Sequence, residues 1–248
     1  MKIKLTIAYD GTNYCGWQVQ PNGTSIQELI DLELSKLFKG KIKTVGASRT
    51  DAGVHAKGNV ATFEVMTMMP PEKIAYALNA GLPADIVVQA SEEVPERFHP
   101  RFSESIKTYE YHILNRTFPD PMRRHYTCFY YHPLDVEAMN EAAGYLVGEH
   151  DFTSFSSIHA QTNSYVREVL SCVVEKADDE VILRISGRGF LYNMVRIIAG
   201  TLIEVGGGMR KADDIIRILE ARDRGEAGPT APPEGLVLMG IEYLPDYV

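Results

Sequence analysis

The chain has 248 residues, 45% hydrophobic and 23% charged, the composition of a soluble globular protein long enough to bury a core without disulfides, in one large domain or two modest ones. No apolar run approaches the roughly 20 residues that a membrane span needs, and Cys15, Cys128 and Cys172 are too few and too far apart for a disulfide framework or a paired-cysteine zinc site, which fits a reducing cytoplasm. A net charge of −8 counts, at face value, against a nucleic-acid partner.

In chain order, residues 2–9 alternate like a strand, without the unbroken apolar stretch of a signal peptide. A polar, Gly-rich stretch, Asp10 to Gly23, leads to Ser25-Ile-Gln-Glu28, which has the spacing of a capping box. The helix that follows is predicted to run to about Phe38, with Ile26, Leu29, Ile30, Leu34, Leu37 and Phe38 on one face. Strands are predicted at about 42–48 and 59–66, on either side of an Arg-Thr-Asp-Ala-Gly turn. Pro70-Pro-Glu-Lys opens a second helix, since proline is tolerated in a first turn. Asn79 to Pro83 ends it, and Asp85 to Ser91 reads as a strand. The order β-α-β-β-α-β is that of a split ferredoxin-like unit.

The second half repeats this order of elements, though not the sequence. Strands are expected at about 104–114 and 126–130, a helix from Asp135 to about Val147, and a hairpin of strands at about 167–177 and 180–187. A strongly apolar helix should start near Phe190 and stop at the glycines 206–208. Another helix is expected at about 212–221, then a Pro/Gly-rich loop from Arg222, and a last strand from Gly235 to Tyr243. The expectation is therefore an α+β protein of two ferredoxin-like halves, 1–103 and 104–248. Sheets of this type can join edge to edge into one continuous, mostly antiparallel sheet with a central cleft, and such sheet faces are a common RNA platform.

Charge is unevenly spread. Lys36, Lys39, Lys41, Lys43, Arg49 and Lys57 face a single acid, Asp51, over residues 36–57; Arg97 to Arg124 holds six more basic residues against three acids; residues 135–151 hold five acids and no Lys or Arg. An Asp before Ala-Gly is ordinary turn chemistry. Asp51, however, stands with Arg49, His55 and Lys57 in a dense polar group where two strands meet, and loops on a rigid sheet are where catalytic groups tend to sit. The seven histidines show no HxxxH or HExxH spacing, so no metal site is expected, and neither a GxGxxG nor a P-loop pattern is present.

Ser48-Arg-Thr-Asp-Ala-Gly-Val-His-Ala56 resembles the catalytic motif of the TruA family of tRNA pseudouridine synthases. Tyr9-Asp-Gly-Thr-Asn-Tyr-Cys-Gly-Trp-Gln18, Phe98 to Tyr111, Gly148 to Phe155, Gly189 to Gly200 and Asp223 to Leu236 are similar to further family segments, in order and over essentially the whole chain. The resemblance implies an isomerase that converts uridine to pseudouridine at positions 38, 39 and 40 of the tRNA anticodon stem-loop. It also implies a cytoplasmic homodimer that needs no cofactor.

Residue by residue, it implies that Asp51 is the nucleophile, attacking uracil C6 or ribose C1′, and that Tyr109 stacks on the target uracil. Arg196 would pair with Asp51, and Arg49 would fill the space left by a flipped base. A nearby guanidinium suits this chemistry, because it keeps a carboxylate ionised. Ser48 is a departure, since many family members carry glycine there; a positive φ at that position would strain serine. A non-catalytic RNA-binding protein of two ferredoxin-like units is the alternative, and Asp51 separates the two readings: a negative charge has no use in simple binding to phosphates. A hydrolase of small nucleosides with a carboxylate nucleophile is a third, weaker reading.

Overall fold

Alternation and helix signals set the local structure in the first of two compact units. The structure, a computed structural model, describes residues 1–244, and of these the unit comprises residues 1–105 and 237–244. Strand β1 (Lys2–Tyr9) sends Ile3, Leu5, Ile7 and Tyr9 into the core and its other side chains outward, as the alternation requires. Helix α1 (Ile26–Leu37) begins where the capping box puts it, with the Ser25 hydroxyl accepting from the Glu28 amide at 3.2 Å, and it buries Ile26, Ile30 and Leu34. Helix α2 (Pro71–Asn79) starts at the second of the paired prolines and packs against strand β4 (Ile86–Val94).

Strand β3 (His55–Glu64) pairs antiparallel with β1, which pairs antiparallel with β4 on its other side. The outer edge of β3 is shared. A two-residue strand β2 (Val45–Gly46) covers Ala61 and Thr62, while the last strand of the chain, β10 (Leu236–Tyr243), runs parallel to His55 and Ala56. The β-α-β-β-α-β order holds over residues 2–94.

The strand expected over 42–48 is cut to two residues for a definite reason. The amide of Ile42 donates to the Ser35 hydroxyl at 3.0 Å, and that of Thr44 to the Asp31 carboxylate at 2.9 Å. Side chains of α1 thus take the hydrogen bonds a strand partner would have made. Conversely β3 starts earlier than its apolar run, because His55 and Ala56 have backbone partners in β10.

The second unit spans residues 106–236. Strands β5 (Ser105–Asn115), β9 (Glu180–Gly187), β8 (Val166–Ala177) and β7 (Gly148–Asp151) lie side by side and antiparallel, with β6 (Cys128–Tyr130) parallel to β5. The β8–β9 hairpin turns where expected, with Asp178 in the left-handed region at φ +54°. Helix α3 (Val136–Gly144) is capped by Asp135 but stops short of Val147, and the chain enters β7, which the sequence reading lacked. Helix α4 (Met194–Gly206) begins four residues later than expected, because Asn193 sits at φ +62° and no helix continues through a left-handed residue. Helix α5 (Asp214–Ala221) follows.

The α+β class and mostly antiparallel pairing agree with expectation. The last strand, assigned by the sequence to the second half, packs in the first unit.

A charge network holds the segment after β5 to the β8–β9 hairpin. Arg123 grips Asp179 with both terminal nitrogens, at 2.6 and 2.9 Å, and Arg116 reaches the same carboxylate at 3.1 Å. Hydrogen bonds from Arg123 and then Arg116 hold Asp179 down to about 2, against an ordinary 3.8. A carboxylate depressed in the folded state stabilises the fold above its unfolded value. That contribution fades as pH falls from about 3.8 towards about 2. NMR titration of the side-chain carboxyl should therefore place Asp179 near 2, and Arg123→Ala should return it most of the way to 3.8. An unchanged titration in the variant would mean that Arg123 is not the cause.

Candidate active site

The turn that carries Asp51 lies between β2 and β3 and is pinned from two sides. The Trp17 amide donates to the Thr50 carbonyl at 3.0 Å, and the Gly53 amide to the Tyr14 carbonyl at 3.3 Å. The Asp51 carbonyl closes the turn by accepting from Val54 at 3.2 Å, with Gly53 at φ +78°. The loop between β1 and α1 can lie this close because of two glycines. At Gly11 a Cβ would stand 2.0 Å from the Val54 carbonyl oxygen, and at Gly16, itself at φ +100°, 2.6 Å from the Thr50 carbonyl oxygen.

A buried polar cluster supports the turn from below. Asn59, wholly buried on β3, donates through its amide to the Ser48 carbonyl and to the Tyr9 hydroxyl, both at 3.1 Å. The Tyr9 hydroxyl meets the Thr50 hydroxyl at 2.7 Å. Leaving any one of these groups unpaired would cost about 1–3 kcal/mol, so the cluster fixes the backbone on both sides of Arg49. Ser48 adopts no positive φ, so serine is unstrained there; its buried hydroxyl has no hydrogen-bond partner among the described residues. Asp51 is partly buried; Arg49 is exposed, with one long hydrogen bond, 3.5 Å, to Gln18. His55 is buried and accepts from the Gly11 amide at 3.1 Å, which ties the start of β3 to the same loop. Trp17 is buried and lies 6.0 Å from the Tyr9 ring, so it is core.

Tyr109 and Arg196 belong to the second unit. Tyr109 lies on β5 opposite Ile185, largely buried, with its ring edge-on to Phe190 at 5.2 Å. Arg196 projects from the first turn of α4, partly buried, and its Nε donates to the Ala231 carbonyl at 2.8 Å. The backbone bond from Ala231 to the Arg196 carbonyl, at 3.0 Å, is the reciprocal of that contact. A second strap, from the Gly228 amide to the Thr201 hydroxyl at 2.9 Å, ties the Pro/Gly-rich loop after α5 to the same helix. An arginine among apolar neighbours on α4 is thus held by backbone rather than left exposed.

The structure accordingly keeps Asp51 and Arg49 on one loop of the first unit, and Tyr109 and Arg196 on two elements of the second. Asn59 and the Tyr9 hydroxyl were not singled out by the sequence; the available signal was an amide side chain directly before the mostly apolar stretch Val60-Ala-Thr-Phe63. Among the described residues, no group of three or more His, Cys, Asp or Glu side chains is placed to hold a metal ion.

A family model described as tRNA pseudouridine synthase matches residues 5–103 and 142–244. The chain belongs to the tRNA pseudouridine synthase family. Curated relatives extend the match. A tRNA pseudouridine synthase A of Ruminiclostridium cellulolyticum is 49% identical over 243 residues, 98% of this chain and 99% of its own. Those of an Exiguobacterium species and a Thermoanaerobacter species are 48% and 46% identical, over 98% and 97% of this chain and 98% and 99% of theirs. Membership in the tRNA pseudouridine synthase family makes the protein an isomerase. The stretches matched by the tRNA pseudouridine synthase model include Arg49, Asp51 and Arg196, while Tyr109 falls between them.

Proposed function

We propose that the protein converts uridine to pseudouridine in tRNA, at positions 38, 39 and 40 of the anticodon stem-loop, with Asp51 as the attacking carboxylate. The observation that carries this reading is the Arg49-Thr50-Asp51 turn, held by a buried hydrogen-bond cluster in a chain of this family. The reaction breaks the N1–C1′ bond, turns the uracil over and joins C5 to C1′. N1 gains a proton, C5 loses one, and nothing is oxidised. A carboxylate serves as a nucleophile that leaves again.

The base must leave its stack to be reached. Tyr109 is assigned to stack on the uracil, Arg49 to fill the vacated space and Arg196 to pair with Asp51. The exposed, weakly held side chain of Arg49 and the firmly seated guanidinium of Arg196 suit a mobile and a fixed role, respectively. The protein would act in the cytoplasm as a homodimer.

Pseudouridine mapping of tRNA incubated with purified protein tests this reading. New pseudouridine is expected at positions 38–40, and free uridine should not be turned over. No new pseudouridine in any tRNA would leave the protein a binder; turnover of free uridine would favour the nucleoside hydrolase.

A further inference from the structure

Within the first unit, the basic run of residues 36–57 and the segment after Arg97 contribute to one surface pocket of about 140 Å³, whose lining includes Trp17, Gln18, Gly46, Arg49 and Arg101. One terminal nitrogen of Arg101 donates to the Gly46 carbonyl at 3.1 Å, which seats that guanidinium; Arg49 has only its long bond to Gln18. Each guanidinium carries five N–H donors, so most remain for a ligand. Neither arginine has a carboxylate partner among the described residues, although the chain holds 33 acids against 25 Lys and Arg. Burial, and then the neighbouring charge of Arg49, push Arg101 below its ordinary value. Two like charges kept together without an acid are stabilised by an anion.

The pocket's chemistry narrows the anion. Trp17 is 1% exposed, so the pocket offers a base no aromatic face to stack on. The Thr44 hydroxyl in its wall is already donated to Asp31 at 2.7 Å. What is left is a fork of N–H donors, the geometry that matches phosphate oxygens.

We propose that Arg101, together with Arg49, forms a phosphate subsite that takes one phosphodiester of the RNA backbone beside the nucleotide on which Asp51 acts. The inference rests on the tRNA reading above. Arg49 stands two residues from Asp51, so a phosphate held here is next to the reacting nucleotide. Arg49, weakly held, can move to the space left by the flipped base while Arg101, tied to Gly46, keeps the phosphate. The subsite fixes backbone register and reads no sequence.

The test is the salt dependence of tRNA binding, measured in an Asp51→Asn background so that no turnover intervenes. Arg101→Gln should weaken binding about tenfold at moderate salt, the worth of one charge-assisted contact. It should also flatten the slope of log K against log[salt] by about 0.7–0.9, the loss of one phosphate contact. Arg101→Lys, which keeps the charge, should retain most of the slope. An unchanged slope in Arg101→Gln, or equal flattening in Arg101→Lys, would overturn the proposal.

A second measurement avoids any folding defect of Arg101→Gln. Inorganic phosphate titrated into the unaltered chain at low salt should shift the Arg101 Nε–H resonance, identified by its absence in Arg101→Lys, and a resonance that stays put overturns the subsite. Pseudouridine mapping with the unaltered chain reports on the tRNA reading separately, so the two can fail independently.

Discussion

Asp51→Asn should lose at least about 10⁴-fold in pseudouridine formation, the scale seen when an enzyme's attacking group is removed, while tRNA binding stays largely intact. The substitution is chosen to separate charge from structure. Asparagine has the size of aspartate and is equally at home in a turn. The turn is closed by the Asp51 carbonyl and held through Thr50 and Gly53, all backbone contacts that the variant keeps. What it loses is the negative oxygen able to form and break a covalent bond. Binding should not suffer, because if Asp51 meets the RNA as proposed, removing its negative charge removes repulsion from the phosphates. Tritium release from C5-labelled tRNA measures the chemistry, filter binding the affinity, and thermal unfolding the fold. Wild-type-like release from Asp51→Asn would dismiss Asp51 as the nucleophile; simultaneous loss of binding and of thermal stability would make it a structural residue.

The features legible in the sequence were those decided by neighbours in the chain. The alternation of Lys2–Tyr9, the capping box at Ser25 and the β8–β9 hairpin each depend on a few consecutive residues, and each stands where the sequence put it. The misread elements were decided elsewhere. Residues 42–44 could pair as a strand, but Ser35 and Asp31 of α1 take their amides. Strand β7, Gly-Glu-His-Asp, has no apolar alternation and exists because β8 lies beside it. Nothing in Leu236–Tyr243 announces that it will run beside His55, some 180 positions earlier.

The site divides in the same way. Asp51 and Arg49, assigned to the proposed site, stand in a short segment that resembles a family motif and could be read from consecutive residues. Asn59, which holds the backbone on which they stand, looks on paper like any polar residue in a strand. Its role exists only once the Tyr9 hydroxyl and the Ser48 carbonyl have come within 3.1 Å of it.

Gly11→Ala should both destabilise the protein and cost activity, though Gly11 carries no chemical group. A methyl at this position would stand 2.0 Å from the Val54 carbonyl oxygen and 2.6 Å from its carbon. Both contacts are backbone, so no rotamer change relieves them, and the 10–17 loop must move away from residues 50–54. Overpacking of this kind costs about 1–3 kcal/mol, and in a chain of this size each kcal/mol lowers the melting temperature by roughly 2–4 °C. The Gly11 amide would also leave His55, and the bonds from Gly53 to the Tyr14 carbonyl and from Trp17 to the Thr50 carbonyl, which seat the Asp51 turn, would be stretched. A shift of about 1 Å in an attacking group can cost about 10²-fold in rate.

Gly144→Ala is the matched control. It lies at the end of α3, where an added Cβ meets nothing within 4 Å, so alanine there should be neutral or stabilising by up to about 1 kcal/mol. Calorimetry and single-turnover rates on the two variants compare a glycine needed for close approach with one that is not. If the two behave alike, the loop is not seated through Gly11, and the placement of Asp51 depends on Gly16 and the Asn59 cluster instead.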